Sequence, residues 1–197
     1  MRFRVLCSSI PISAALLLLL TGSANAQQQV DVDNYKNNLA PYVNSPQHAV
    51  DKMLELANLK PGETLYDLGC GDGRILIAAA EKYHAKGVGV EISSTLAKRA
   101  AQKVQQAGLS NQVTIVHGNF MRTDLSHADV VTLYLATTAN ESLRPNLERY
   151  LRPKSRVVSY DYPIPGWKPI DTVGTEGRLG TTHTIYLYEV PNSITKK

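Results

Sequence analysis

The run Asp67-Leu68-Gly69-Cys70-Gly71-Asp72-Gly73 constrains the fold of this chain more than any other stretch. Three glycines at alternate positions suit neither a helix nor a strand interior, because each loses more backbone freedom there than any other residue. They suit a tight turn with bared main chain. Upstream, Pro61-Gly62-Glu63 is turn chemistry, and Thr64-Leu65-Tyr66 is a short β-favouring run that carries Asp67 at its end. Downstream, Arg74 through Tyr83 lacks glycine and proline and is rich in helix formers. A second β-like run, Val88-Gly89-Val90, ends at Glu91; Ser94 can cap a helix continuing through Ala107, which Gly108 stops. The pattern predicts a βαβα unit with a crevice at the strand ends.

The remaining segments extend that unit. Pro46 through Leu59 carries Val50, Met53, Leu54 and Ala57 at helical spacing, with Ser45 as the expected cap. Val113-Thr114-Ile115-Val116 reads as a third strand, and the connection from Gly118 to Asp129 has room for no more than a turn or one helical turn. Val130 through Leu135 is continuous and apolar, as a central parallel strand requires. A helix from Ala139 to Tyr150 and a strand over Arg156–Tyr160 follow. Pro163, Pro165, Gly166 and Pro169 exclude a regular helix and suggest a loop over the strand ends, holding the only tryptophan. Ile170–Val173 and Thr182–Tyr188 alternate, and predict an antiparallel pair at the sheet edge. The fold class is therefore α/β and Rossmann-like, a mostly parallel seven-stranded sheet with an antiparallel C-terminal hairpin.

A glycine-rich first turn followed by an acid about 20 residues on is also the dinucleotide fingerprint. Here the order is Asp-x-Gly-x-Gly-x-Gly rather than G-x-G-x-x-G. A pyrophosphate needs a helix N-terminus free of negative charge, yet Asp72 sits there. S-adenosylmethionine has no phosphate and carries a sulfonium and an ammonium, so nearby acids suit it. On this reading Gly69, Cys70, Gly71 and Gly73 let the backbone approach the cofactor, Asp67 faces the ammonium, and Glu91 accepts from the ribose hydroxyls. Replacing Glu91 by alanine is then expected to weaken cofactor binding while sparing the fold. Cys70 reads as small-residue packing rather than a reactive thiol, because no base is spaced beside it.

The run resembles the first motif of class I methyltransferases. Pro41-Tyr42-Val43-Asn44-Ser45-Pro46, Tyr66 through Arg74, Val131 through Leu135 and Trp167-Lys168-Pro169 together resemble a small bacterial group related to mitochondrial lysine methyltransferases, of the kind that modify the membrane-embedded c subunit of ATP synthase. The likeness covers roughly Ala40 to Val190. It implies methyl transfer to a protein lysine. It also implies that Asn119 stands where many such enzymes carry an acid that reads the adenine amine, that Phe120 flanks the adenine, and that Tyr134 faces the acceptor. Tyr42 and Trp167 are expected as aromatic walls around an alkylammonium, and Asp161 as a group that orients the amine or takes its proton. Each has a plainer reading. Phe120 and Tyr134 fit core packing as well, Tyr42 and Trp167 can pack the loop, and Asp161 before Tyr162-Pro163 can make a turn.

Met1-Arg2-Phe3-Arg4, the apolar stretch from Ile10 to Leu20 and Ala24-Asn25-Ala26 read as a secretory signal, residues 1–26, whose apolar part falls short of the ~20 residues a spanning helix needs. Export to the bacterial periplasm or beyond is expected, with a membrane tether if the signal is retained. Cleavage removes Arg2 and Arg4, so the charge falls from +4 to +2 and 171 residues remain. A polar leader over 27–40, one domain over 41–190 and a tail over 191–197 are the expected divisions. Cys70 is then the sole cysteine, and no intramolecular disulfide is possible. The five histidines are scattered without metal-ligand spacing. The slight positive charge gives no reason to expect a nucleic-acid partner; a protein substrate is expected, from the resemblance. Two alternatives stand beside the enzyme: an exported nucleoside-binding module without turnover, and a small-molecule methyltransferase on the same core.

Overall fold

The computed structural model describes residues 43–176 and 181–195. The segments expected to be a signal and a polar leader, and Tyr42, lie outside the described residues. Twelve elements follow in chain order: α1 (Gln47–Leu56), β1 (Thr64–Leu68), α2 (Arg74–Tyr83), β2 (Lys86–Glu91), α3 (Ser94–Gln106), β3 (Val113–His117), a 3-10 turn (Phe120–Arg122), β4 (Val130–Leu133), α4 (Thr137–Tyr150), β5 (Arg156–Tyr160), β6 (Asp171–Glu176) and β7 (Thr182–Glu189). The strands form one sheet in the order β3-β2-β1-β4-β5-β7-β6. The first five run parallel, while β7 lies antiparallel between β5 and β6. This is the seven-stranded sheet with an antiparallel C-terminal pair that the sequence predicts.

Both faces are covered. Alternation along each strand sends Leu65, Val130, Val158 and Ile185 to one face, under α1 and α2. Tyr66, Leu68, Val131, Leu133 and Val157 go to the other, under Leu143 and Leu147 of α4. That is why β4 is buried at every position and reads as an unbroken apolar run. Gly89 of β2 allows a very close helix: a Cβ there would lie 2.5 Å from Leu76 Cδ1 and 2.7 Å from Cys70 Sγ. The crossover from β3 to β4 is the single helical turn that its length permits.

Three local expectations are revised. Ser45 does not cap α1: Pro46 occupies the cap position, no side chain bonds the helix end, and the Ser45 carbonyl instead accepts from Arg74 Nη1 at 2.8 Å. Ser93, not Ser94, caps α3, its hydroxyl accepting from the Leu96 N–H. The described part of the expected tail folds back onto the domain. Ser193 is 1% exposed, its carbonyl accepts from the Lys168 N–H, and Ile194 forms an antiparallel bridge with Trp167. Among the described residues no helix is long and apolar enough to cross a membrane.

Candidate active site

The chain steps from β1 outward to β2 and β3, then returns to set β4 on the other side of β1. Crossovers on opposite faces open a crevice at the carboxyl ends of β1 and β4. The Gly69–Gly73 turn begins there. Gly69 and Gly73 have φ of +80° and +79°, a region that costs residues with a Cβ. The Gly69 and Cys70 N–H groups donate to the Val90 carbonyl, and the Gly73 N–H to the Cys70 carbonyl. Cys70 points its sulfur into the core beside Leu76 and Gly89, and burial pushes the thiol well above its usual range. It is a packing residue in this fold, and only its main chain faces the turn.

Glu91 ends β2 and is buried. Its Oε2 accepts from the Gly71 N–H at 2.9 Å and its Oε1 from the Ser93 N–H at 2.9 Å. The carboxylate is therefore fixed in place by two main-chain donors. A carboxylate offers about four lone-pair sites, so acceptor capacity remains on both oxygens for a vicinal diol.

Asp67 is 5% exposed, and its Oδ1 accepts from the Thr132 hydroxyl at 2.8 Å. Burial pushes its carboxyl up to about 7; the Thr132 bond lowers it, and the charges of Glu91 and Asp72 raise it further. The nearby Asp72 behaves oppositely. Burial would raise it, but Arg74 grips both oxygens at 2.9 and 2.8 Å and Lys103 bonds Oδ2 at 2.6 Å, which together hold the carboxyl well below the usual range. The Asp72–Arg74–Lys103 network was not apparent from the sequence, because Lys103 is 31 residues away on α3. It neutralises the acid at the α2 N-terminus, so the case against a phosphate ligand passes from Asp72 to Asp67 and Glu91. Two buried carboxylates at the strand ends repel a polyanion and favour a nucleoside that carries positive charge.

Asn119 caps the 3-10 turn through Oδ1, which accepts from the Met121 N–H at 2.9 Å. An amide oxygen retains a second lone pair, so an adenine amine can still bond it. Phe120 is buried in the core cluster on the α4 side of the sheet.

The other half of the crevice is aromatic and acidic. Register sets Gly69 beside Tyr134, since Leu68 pairs with Leu133, and sets Tyr134 beside Tyr160, since Leu133 pairs with Ser159. The Tyr134 and Tyr160 rings meet edge-on at 4.7 Å, and Tyr134 and Tyr162 stack at 6.1 Å. Burial, then the Asp161 charge, raises the Tyr134 hydroxyl; the same causes, with Tyr134 itself, push Tyr160 up to about 12. Asp161 has φ of +69°, an uncommon conformation for a residue with a Cβ, and its Oδ2 lies 2.7 Å from His183 Nδ1. His183, a residue that sequence reasoning leaves among scattered histidines, stacks on Tyr160 at 5.5 Å. Only the pairing of β7 with β5 brings it to Asp161.

Trp167 takes a different place from the aromatic wall expected of it. It is 6% exposed, its indole N–H donates to Glu148 Oε1 at 2.9 Å, and its ring meets Tyr188 edge-on at 5.7 Å. It ties the post-β5 loop to α4.

Known proteins share this arrangement. The model of the ANTKMT methyltransferase domain matches residues 67–171. A protein-lysine N-methyltransferase from Saccharolobus islandicus (strain REY15A) is 43% identical over 76% of this chain and 93% of its own. The mouse adenine nucleotide translocase lysine N-methyltransferase is 32% identical over 78% of this chain, which spans 64% of that relative. The solved structure of an RNA methyltransferase from Salinibacter ruber, in complex with S-adenosyl-L-homocysteine, superposes with a TM-score of 0.74 at 42% identity, covering 79% of this chain and 98% of that one. On the match over residues 67–171 and the 43% identical relative, the chain belongs to the family of the ANTKMT methyltransferase domain.

Proposed function

We propose that this protein is an S-adenosylmethionine-dependent methyltransferase that methylates a lysine side chain of a protein. One observation carries the cofactor: two buried carboxylates, Asp67 and Glu91, flank a glycine turn whose first and last members are left-handed. When bound, S-adenosylmethionine supplies an electrophilic methyl group on a positively charged sulfur. Asp67 and the Gly69–Gly73 main chain, Cys70 included, hold its amino acid portion, Glu91 its ribose, and Asn119 and Phe120 its adenine. The methyl acceptor meets Tyr134 and Asp161.

The relatives name two acceptors, protein lysine and RNA. Lysine is favoured because Asp161 and the tyrosine cluster attract a cation and would oppose a polyanion. The test supplies methyl-tritiated S-adenosylmethionine to the full chain with a heat-denatured bacterial protein extract or with total RNA. Label recovered in methylated lysine after hydrolysis is the expected result. Label confined to RNA, or cofactor binding without any product, would refute it. We also infer export of the chain, on the basic start, apolar stretch and Ala24-Asn25-Ala26. N-terminal sequencing of protein from its own cells is expected to begin at Gln27.

A further inference from the structure

We propose that His183 is the base that takes the proton from the acceptor ammonium, with Asp161 fixing its imidazole. This rests on the lysine reading above. An ammonium has no lone pair, and with an ordinary pKa of about 10.4 only a small fraction of lysine is neutral at pH 7, so a group near the crevice must accept a proton. A base needs a lone pair aimed away from its orienting partner, and a partner that stabilises the charge it acquires. His183 meets both conditions. Its Nδ1 lies 2.7 Å from Asp161 Oδ2, so the proton of the neutral ring belongs on Nδ1 and the lone pair on Nε2. Among the described residues Nε2 lies 3.2 Å from the Thr181 hydroxyl, a long contact that an incoming amine can replace.

Placement supports the role. The Asp161 N–H donates to the Thr184 carbonyl at 2.7 Å, extending the β5–β7 pairing past Tyr160–Ile185 and carrying His183 to the strand end that holds Gly69 and Tyr134. The His183 and Asp161 side chains are 26% and 24% exposed, whereas Tyr160 beneath them is 1% exposed. The pair therefore stands on the solvent side of Tyr160, where a long side chain entering toward the glycine turn passes it. Among the described residues the groups facing the imidazole are Asp161 from the post-β5 loop, Thr181 ahead of β7 and Tyr160 from β5; Tyr134 meets Tyr160, and Tyr162 stacks on Tyr134.

The step balances. One N–H bond of the ammonium breaks and its proton binds His183 Nε2. The freed nitrogen pair forms the N–CH3 bond while the carbon–sulfur bond breaks with its electrons staying on sulfur. The imidazolium returns its proton to water, and the thioether and the methylated ammonium leave.

The test compares the full chain with His183→Gln across pH at saturating S-adenosylmethionine, using the lysine-containing extract as acceptor. For the unaltered protein kcat/KM should rise with pH as the base loses its proton, and level off well below the lysine range. The variant should be about 100-fold slower at pH 7. It should keep gaining with pH, until near pH 10, where solution supplies neutral amine, the gap is only about 3-fold. Cofactor affinity by calorimetry should match. An equal loss at every pH would assign His183 a structural role and overturn the proposal, as would unchanged activity. Failure of the unaltered protein to label lysine at any pH would sink the lysine reading itself and this one with it. A readout without turnover is the nitrogen-15 imidazole spectrum of the protein alone. It should show neutral His183 protonated on Nδ1, and Asp161→Ala should shift that proton toward Nε2; an Nε2-protonated ring in the unaltered protein would overturn the assignment.

Discussion

Asp67 and Glu91 are both buried acids, yet they are set up for different work. Asp67 has a hydroxyl partner, and burial pushes it up to about 7 from 3.8. A carboxyl raised on folding binds its proton more tightly in the folded state, so this group costs stability as pH climbs from about 4 to 7. A ligand bearing an ammonium and a sulfonium reverses that cost by favouring the ionised form. Cofactor affinity is therefore expected to improve up to about tenfold per pH unit between roughly pH 5 and 7, then level off. Calorimetry in buffers of different ionisation enthalpy should detect close to one proton released per cofactor below pH 7, and Asp67→Asn should abolish both effects. Glu91 is already bonded to the Gly71 and Ser93 N–H groups. Glu91→Ala should weaken cofactor binding by about 1–3 kcal/mol, as expected of a ribose contact. It should not spare the fold, as the sequence had suggested: two N–H groups lose their partner, and urea titration of the apo-protein should show a loss of about 2 kcal/mol.

Very close packing lies where α2 crosses β2. A methyl group added at Gly89 would meet Leu76 Cδ1 at 2.5 Å, Cys70 Sγ at 2.7 Å and Ile115 Cδ1 at 3.0 Å, from three different elements. Gly89→Ala should cost about 1–3 kcal/mol in urea unfolding, the range for overpacking a tight core, and should loosen the glycine turn that Cys70 belongs to. Gly118→Ala, where the added methyl group would meet Val116 Cγ1 at an ordinary 3.7 Å, is the control that should cost far less. Elements of this kind were legible in the sequence because their signals are local. Glycine alternation, a helix free of breakers over Arg74–Tyr83 and the apolar β4 run each report the conformation of the residues that carry them. Contacts made across the sheet left no such mark. Lys103 on Asp72, His183 on Asp161 and Glu148 on Trp167 join residues 31, 22 and 19 positions apart, and only the strand order decides that they meet. Trp167 shows the cost of the missing geometry: the sequence leaves it as an aromatic wall or as loop packing, and the fold uses it as a fastening to α4.

At the scale of the molecule, one continuous sheet divides its labour about β1 and β4. The β1, β2 and β3 ends carry Asp67, Gly69–Gly73, Glu91 and Asn119, the groups proposed to hold the cofactor, whereas the β4, β5 and β7 ends carry Tyr134, Tyr160, Asp161 and His183. Ligand binding to either half stabilises the whole, because one sheet cannot unfold in parts without opening its shared core. Cofactor at about 100 times its Kd adds ~2.7 kcal/mol to the folded state, which for a domain of this size raises Tm by about 5–10 °C. Thermal scans with and without S-adenosylmethionine should show that rise in the unaltered protein. His183→Gln should keep it in full, since its half of the sheet is not the half proposed to hold the nucleoside, and Glu91→Ala should lose most of it. A variant pattern in which His183→Gln also lost the rise would mean that the two halves are not separable, and that the histidine acts on cofactor binding rather than on the acceptor.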